Sequence, residues 1–92
     1  MIRSFKDKNT ESLFRNKKVK NFNNFERVAK RKLRILNAAT NVNDLRFPPG
    51  NNLEKLQGNR KGQYSIRINK QWRICFKWID DHAWEAEIVD YH

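Results

Sequence analysis

The C-terminal half of the chain contains three segments in which apolar and polar residues alternate, and this pattern constrains the fold most strongly. The segments cover residues 64–68, 72–78 and 84–88. A period of two places the apolar side chains of a strand on one face of a sheet. The polar stretches between the segments, residues 69–70 and 80–82, are typical of hairpin loops. The pattern therefore predicts an antiparallel meander with one apolar face that another element must cover.

The N-terminal half supplies a helix for that face. Residues 24–39 carry apolar side chains at helical spacing, from Phe25 to Leu36. Asn23 and Glu26 are spaced as in a capping box at the start of this helix. The other face of the helix is basic and carries Arg27, Lys30, Arg31 and Arg34. We therefore expect the apolar stripe to pack on the sheet and the basic face to be available to an acidic partner.

Shorter elements complete the predicted fold. Residues 2–5 predict a short edge strand, and Asn9 or Thr10 could cap a short helix through Phe14. Residues 44–45 predict a turn of helix, the two prolines within residues 47–52 predict a loop, and residues 53–56 predict a short strand. The chain is thus expected to form a single α+β domain, residues 1–92, with N-terminal helices packed on one face of a C-terminal antiparallel sheet.

Net charge indicates the class of partner. The chain has 20 Lys and Arg residues against 10 Asp and Glu, a net charge of +10 in only 92 residues. Such an excess predicts a polyanionic partner. A membrane surface is the competing partner, but it would need a helix whose apolar face is not required by the core. We therefore expect a nucleic acid, and the five acids with no Lys or Arg in residues 78–92 suggest more than nonspecific binding.

The expected location is the cytoplasm. A single cysteine, Cys75, excludes a disulfide within the chain and hence a disulfide-stapled secreted scaffold. The first residues lack the apolar stretch of a signal peptide. No segment approaches the roughly 20 apolar residues that span a bilayer.

Two arginines on neighbouring strands are candidates for binding phosphate. Strand parity places Arg67 and Arg73 on the side of the sheet away from the apolar row, opposite or nearly opposite each other. Like charges in such positions are destabilising unless an anion lies between them, and the guanidinium fork suits a phosphate. The alternative is that both side chains point into solvent without a function.

The chain closes with three groups that could support acid–base chemistry. Asp90 offers a base, Tyr91 a phenol, and His92 an imidazole that titrates near neutral pH. Close to Arg73, they would form an RNase site in which the ribose 2′-OH is the nucleophile and no metal is needed. The alternative is a frayed chain end. The sequence has neither zinc-ligand spacing nor a glycine-rich phosphate loop, so we predict no metal and no cofactor.

Three stretches of the sequence resemble the HigB branch of the RelE-like toxins, also called plasmid maintenance killer proteins. They are residues 1–5, residues 53–76 and residues 89–92. The most specific part begins at Ser65 and reads Ser-Ile-Arg-x-Asn-x-x-Trp-Arg-Ile-x-Phe. The resemblance runs from end to end of the chain. It implies a microbial RNase-like fold and a toxin of a type II toxin–antitoxin system.

The resemblance also implies an activity and partners. Members of the family cut mRNA in the ribosomal A site without a metal. A helix-turn-helix antitoxin (HigA-like) neutralises them, and the complex binds and represses its own operator. By position, Arg73 matches the catalytic arginine that neutralises the scissile phosphate. Asp90, Tyr91 and His92 match the catalytic C-terminal cluster, with His92 or Asp90 expected to transfer protons and Tyr91 to orient or stack the base.

Further cations and an amide near these positions are predicted to bind RNA. They are Lys55, Arg60, Lys61, Arg67, Asn69 and Lys77.

The sequence departs from the best-characterised branch of the family at two positions. Glu54 and Gln57 stand where that branch has a His and a Lys, so one acid–base group and one cation are missing. A slow toxin is the expected result. The competing functions are a non-catalytic module that binds RNA or the ribosome on the same fold, and a small DNA-binding regulator. The regulator is disfavoured because the chain has no recognition-helix signature.

Overall fold

The three alternating segments form the predicted antiparallel meander. The structure is a computed structural model that describes residues 1–91. Its sheet has four strands in the order β1-β2-β3-β4, all antiparallel. The strands are β1 (Glu54–Lys55), β2 (Gln63–Arg67), β3 (Trp72–Ile79) and β4 (His82–Asp90). The α+β architecture predicted from the sequence is therefore confirmed.

Two tight hairpins set the register of the sheet. In the β2–β3 hairpin, the side-chain oxygen of Asn69 accepts hydrogen bonds from the backbone N–H groups of Gln71 and Trp72, both at 2.8 Å. In the β3–β4 hairpin, Asp80 and Asp81 have φ angles of 52° and 65°. Positive φ at both central residues is the geometry of a type I′ turn, whose twist matches that of the flanking strands.

The first helix begins earlier than predicted. Helix α1 spans Lys8–Phe14, and its N-terminal cap is Asp7, whose side chain accepts a hydrogen bond from the backbone N–H of Thr10. The prediction that Asn9 or Thr10 caps this helix was wrong, because both residues lie within its first turn. Asp7 also binds the Thr10 hydroxyl at 2.6 Å, so one carboxylate holds two donors of the same residue.

The long helix is confirmed, but its predicted capping box is not. Helix α2 spans Glu26–Ala38 and follows directly from a 3₁₀ helix at Lys20–Phe25. Among residues 1–91, no side chain caps α2. Asn23 is already inside the 3₁₀ helix, so it does not have the extended flanking position that a capping residue needs.

The core lies between the helices and one face of the sheet. Leu33 and Leu36 of α2 and Ile74 and Phe76 of β3 are all fully buried within it. Trp72 packs against this core, with its ring centroid 4.9 Å from that of Phe25. Burial of such large apolar side chains is the dominant favourable contribution to the stability of a small domain.

The second face of the sheet is also buried at its centre. Ser65, Arg73 and Cys75 lie on this face and are 0%, 7% and 0% exposed. Burial raises the pKa of the Cys75 thiol, an effect that the nearby Arg60 charge opposes. The alternation of apolar and polar residues had predicted that this face is polar. A polar face can still be buried where loops cover it, as they do here.

The remaining segments follow the edges of the sheet. Residues 2–5 make only two isolated parallel bridges, Ile2 to Ala83 and Phe5 to Ala86, and not the predicted strand. A 3₁₀ helix at Val42–Arg46 contains the turn predicted at residues 44–45. The loop predicted at residues 47–52 contains a 3₁₀ helix at Pro49–Asn51. Among residues 1–91, no helix is long and apolar enough to cross a membrane.

Candidate active site

A cleft of about 270 Å³ opens where β1, the β2–β3 hairpin and the end of the described chain meet. Among the residues that line it are Asn52, Glu54, Arg67, Asn69, Arg73 and Tyr91. Strand register explains this grouping. Glu54 pairs with Ser65, and Arg67 pairs with Arg73, so all four belong to the face of the sheet that carries the cleft.

Arg73 is held rigidly in the wall of the cleft. Its Nε donates a hydrogen bond to the Ser65 hydroxyl at 2.7 Å, and its Nη2 donates to the carbonyl oxygen of Asn52. A longer contact of 3.4 Å joins Nη2 to the Ser65 carbonyl. Within residues 1–91, Nη1 makes no hydrogen bond, so one edge of the guanidinium remains available to a ligand in the cleft.

Arg67 adds a second positive charge to the same wall. It lies directly opposite Arg73 in the register, and its Nε donates to the carbonyl of Asn69 at 3.1 Å. In the described part of the chain, no carboxylate lies within ion-pair distance of either arginine. The wall therefore presents two guanidinium groups that have no ion-pair partner among residues 1–91, an arrangement that favours binding of a phosphate.

Tyr91 faces this arginine pair from the end of the described chain. Its ring centroid lies 6.0 Å from the guanidinium carbon of Arg73. Two hydrogen bonds to Gln71 hold this end of the chain against the β2–β3 hairpin. The Tyr91 N–H donates to the Gln71 carbonyl at 2.6 Å, and the Gln71 amide donates to Asp90 at 3.0 Å. Asp90 is thus engaged by the hairpin, while Tyr91 is 38% exposed and accessible to a ligand.

The structure brings together four of the residues predicted from the sequence. Arg67, Asn69, Arg73 and Tyr91 line one cleft, and Asp90 is adjacent to Tyr91 in the chain. The side-chain oxygen of Asn69 is already used by the hairpin, so only its amide nitrogen is available to RNA. His92 lies outside the described residues.

Four of the cations predicted to bind RNA do not line the cleft. Lys55 and Lys61 are exposed, on β1 and in the connection to β2. Arg60 lies 3.4 Å from the Glu87 carboxylate, and Lys77 lies 2.7 Å from that of Glu85. The hydrogen bond from Lys77, together with its charge, lowers the pKa of Glu85.

Three residues that line the cleft, Asn52, Glu54 and Lys70, were not among the predicted site residues. Glu54 was noted only as a departure from a family pattern, yet its carboxylate is part of the cleft. Glu54 pairs with Ser65, so its side chain lies on the same face of the sheet as Ser65. This position in the predicted sheet was the signal that could have placed Glu54 in the cleft. Asn52 has a left-handed backbone with φ 46° and ψ 59° and supplies a carbonyl to Arg73. Asn is among the residues that adopt this conformation readily, but the contact of its carbonyl with Arg73, 21 residues along the chain, depends on tertiary packing and could not be predicted from the sequence.

The combined chemistry of the cleft suits a phosphodiester. Two guanidinium groups can bind its charged oxygens, a phenol can stack on or bond to a base, and a carboxylate can accept a proton. Among residues 1–91, no group of three or more His, Cys, Asp or Glu side chains is arranged to hold a metal ion.

Comparisons with known proteins agree with this description. A family model for the "RelE-like toxin of type II toxin-antitoxin system HigB" matches residues 3–92. The chain is 46% identical over 85 residues to Toxin HigB-1 of Vibrio cholerae serotype O1, with 90% of each protein covered. It is 32% identical over 94 aligned residues to the Endoribonuclease HigB of Proteus vulgaris, and the alignment covers 100% of both proteins.

A solved structure supports the fold. A chain of the YoeB-YefM complex from Staphylococcus aureus superposes with a TM-score of 0.63 at 24% identity, covering 100% of this chain and 95% of the other. The family resemblance seen in the sequence is therefore confirmed over nearly the whole chain. This chain belongs to the HigB family of RelE-like toxins, the toxin components of type II toxin–antitoxin systems.

Proposed function

We propose that this chain is a ribosome-dependent endoribonuclease that inhibits translation by cutting mRNA in the ribosomal A site. The observation that carries the proposal is the pair of arginines, Arg67 and Arg73, which share one cleft with Tyr91 and have no carboxylate within ion-pair distance among residues 1–91. Its relative from Proteus vulgaris is named as an endoribonuclease, which supports RNase chemistry on this fold.

The proposed reaction uses the RNA as its own nucleophile. The 2′-hydroxyl loses its proton to a base and attacks the adjacent phosphorus, and the bond from phosphorus to the 5′-oxygen breaks. The products are a 2′,3′-cyclic phosphate and a 5′-hydroxyl that has gained a proton from an acid. Negative charge builds on the phosphorane oxygens in the transition state. The free edge of Arg73 is suited to stabilise that charge without a metal ion, because Ser65 and Asn52 hold the guanidinium in place beforehand.

Proton transfer is assigned to the groups around Tyr91. Asp90 and His92 are the proposed base and acid, in line with the family cluster. Asp90 accepts a hydrogen bond from Gln71, which fixes its carboxylate beside the hairpin. Tyr91 is proposed to stack on or orient the base next to the scissile phosphate, since its ring is exposed and borders Arg73.

The wider cationic surface is proposed to bind the RNA backbone unequally. Lys55 and Lys61 are exposed and have no ion pair within the described chain, so they can contact phosphates directly. Arg60 and Lys77 already form ion pairs with carboxylates, and each would have to break its ion pair to bind a phosphate. We therefore expect each to contribute less to the affinity for RNA. Arg67 and Asn69 act inside the cleft.

We propose a HigA-like, helix-turn-helix antitoxin as the protein partner, forming a neutralising complex that binds its operator. A structural neighbour is described as a heterotetrameric YoeB-YefM toxin-antitoxin complex, which supports an antitoxin partner for this fold. The basic face of α2 is the proposed docking surface. Arg27 and Arg31 are exposed there and have no carboxylate partner in residues 1–91, so an acidic segment would find unpaired charge.

The decisive experiment is primer extension on an mRNA in a purified translation system. Wild type, Arg73→Ala and Arg15→Ala are compared with and without ribosomes. Arg15 is a matched control, because it is an exposed arginine that pairs with Glu11 far along the chain from the cleft residues. We expect discrete cuts only with ribosomes, retained in Arg15→Ala and lost in Arg73→Ala. Equal inhibition of translation by all three proteins without cuts would instead identify a module that blocks the ribosome by binding.

A further inference from the structure

Helix α2 contains a buried lysine whose environment is unusual. Lys32 is 6% exposed, although its neighbours Arg31 and Arg34 are on the surface. No carboxylate in residues 1–91 lies within ion-pair distance of it. Burial, and to a smaller extent the charge of Arg31, lowers the pKa of Lys32. Burial of a lysine without an ionic partner lowers the stability of the folded state. Hydrogen bonds of Lys32 are therefore needed to compensate for this cost.

The partner of Lys32 is a buried amide in the loop beside the cleft. Its Nζ donates a hydrogen bond to the side-chain oxygen of Asn51, which is 0% exposed. The amide nitrogen of Asn51 donates to two backbone carbonyls, that of Leu45 at 3.1 Å and that of Phe47 at 3.0 Å. All three polar contacts of this side chain are therefore inside the protein, and together they fix the position of the loop.

The next residue in the chain reaches the cleft. Asn52 turns the backbone into the left-handed region, and its carbonyl oxygen accepts the hydrogen bond from Nη2 of Arg73. The other acceptor of Nη2, the Ser65 carbonyl, is at 3.4 Å and is correspondingly weak. Displacement of Asn52 would therefore leave the guanidinium held mainly through Nε, free to rotate its outer nitrogens away from the cleft.

We propose that Lys32 is a positioning residue for Arg73, acting through the Asn51 side chain and the Asn52 carbonyl from outside the cleft. The effect of Lys32 on cleavage rests on the proposed endoribonuclease function, whereas its effect on the position of Arg73 does not. A lysine that only filled space would affect stability without changing the environment of one arginine side chain. The two roles therefore differ in a measurable way.

The test compares Lys32→Met with Lys8→Met in the full chain. Methionine keeps a long apolar stem but cannot donate a hydrogen bond, and Lys8 is an exposed lysine at the start of α1. Circular dichroism and thermal melting establish that each variant is folded. Hydrogen exchange of the Arg73 Nη–H groups, followed by ¹⁵N–¹H NMR, reports on the contact with the Asn52 carbonyl, and the Nη–H groups of Arg15 serve as an internal reference. The rate of mRNA cleavage is measured on the same samples.

We expect the Arg73 resonance to shift and its exchange to accelerate in Lys32→Met alone, with Arg15 unchanged. Cleavage is expected to slow by about 10- to 100-fold, the range for displacement of a catalytic group by about 1 Å. If Lys32→Met does not fold, Asn51→Asp is measured in its place. That variant keeps an acceptor for Lys32 but loses the donors to the Leu45 and Phe47 carbonyls, and the same changes are expected.

The two proposals fail in different ways. An unchanged Arg73 resonance and cleavage rate in a folded Lys32→Met protein would overturn the role of Lys32, even if Arg73→Ala abolishes cleavage. Conversely, a wild-type protein that cuts no mRNA would overturn the endoribonuclease proposal. The response of the Arg73 resonance would still decide whether Lys32 positions that side chain.

Discussion

Arg67 and Arg73 face each other directly across β2 and β3, so two like charges occupy one cross-strand pair. Such a pair destabilises a sheet. Replacement of Arg67 by Gln is therefore expected to stabilise the free protein by ~0.2–1 kcal/mol. The same change should weaken RNA binding and make the dependence of log Kd on log salt shallower by ~0.7, the value for one lost phosphate contact on single-stranded RNA.

Urea unfolding and RNA titration at several salt concentrations check this trade-off, with Arg15→Gln as the surface control. Loss of stability in Arg67→Gln would show that the arginine pair is not a repulsive element of the free protein. A salt dependence close to zero in the wild type would contradict the assignment of the basic surface to RNA.

Glu54 and Gln57, the two residues that differ from the best-characterised branch of the family, are expected to affect the cleavage rate to different extents. Glu54 belongs to the cleft wall, whereas Gln57 is exposed and is not among the residues that line the cleft. Glu54→His should therefore change the cleavage rate more than Gln57→Lys. We expect an increase of about 100-fold for Glu54→His, the lower end of the range of general acid–base contributions. Single-turnover kinetics on programmed ribosomes measure both variants. A larger effect of Gln57→Lys would mean that charge outside the cleft limits the rate.

The hydroxyl of Thr10 joins α1 to the last strand. It accepts a hydrogen bond from the Ile88 N–H at 3.0 Å, and Thr10 is fully buried. Thr10→Val keeps the shape of the side chain but leaves that N–H without its partner, so we expect a loss of about 1–3 kcal/mol in the free energy of unfolding. Urea denaturation provides the measurement, and Thr10→Ser, which keeps the hydroxyl, should recover most of the loss. Equal stability of the Val and wild-type proteins would be inconsistent with this contact.

The lowered pKa of Lys32 predicts a dependence of stability on pH. Between that lowered pKa and the ordinary lysine value of 10.5, the unfolded chain binds a proton that the folded chain does not. Unfolding then takes up a proton, so the folded state gains stability as pH rises through this window. The difference in free energy of unfolding between wild type and Lys32→Met should therefore change in favour of the wild type as pH increases toward 10.5. Urea unfolding at several pH values measures both proteins. If their free energies of unfolding change in parallel with pH, the prediction is wrong.

Alternation along the chain was sufficient to predict β2 and β3, and with them the opposition of Arg67 and Arg73. Both features depend on a period of two and on short hairpins, so they are local properties of the sequence. Alternation also located β4, but it breaks at Glu85, whose φ is 53°, so Ala83 is buried and Trp84 is exposed. The helical stripe likewise predicted α2. These elements position the cleft, which is why its main cationic residues could be named from the sequence.

Contacts between distant segments could not be predicted in the same way. Lys32 and Asn51 are 19 residues apart, and Asn52 and Arg73 are 21 residues apart. Lys32 carries no sign of burial in the sequence, because lysine is almost never buried and its neighbours in α2 are basic. The cap of α1 was misplaced for a different reason. Asp7, Asn9 and Thr10 are all good capping residues, and only the path of the backbone decides among them.

The N-terminal residues that run beside β4 affect how a partner can dock. The N–H groups of Arg3 and Lys6 donate to the carbonyls of Ala83 and Ala86, and the N–H groups of these two alanines donate to Met1 and Ser4. The main-chain N–H and C=O groups of Ala83 and Ala86 on that border of the sheet are therefore already satisfied. The opposite border is β1, which is only two residues long. A partner that binds by adding a strand needs a row of unpaired main-chain N–H and C=O groups along one edge of the sheet, and both edges offer few of them. Recognition of this toxin should therefore depend on side-chain contacts with its helices and loops.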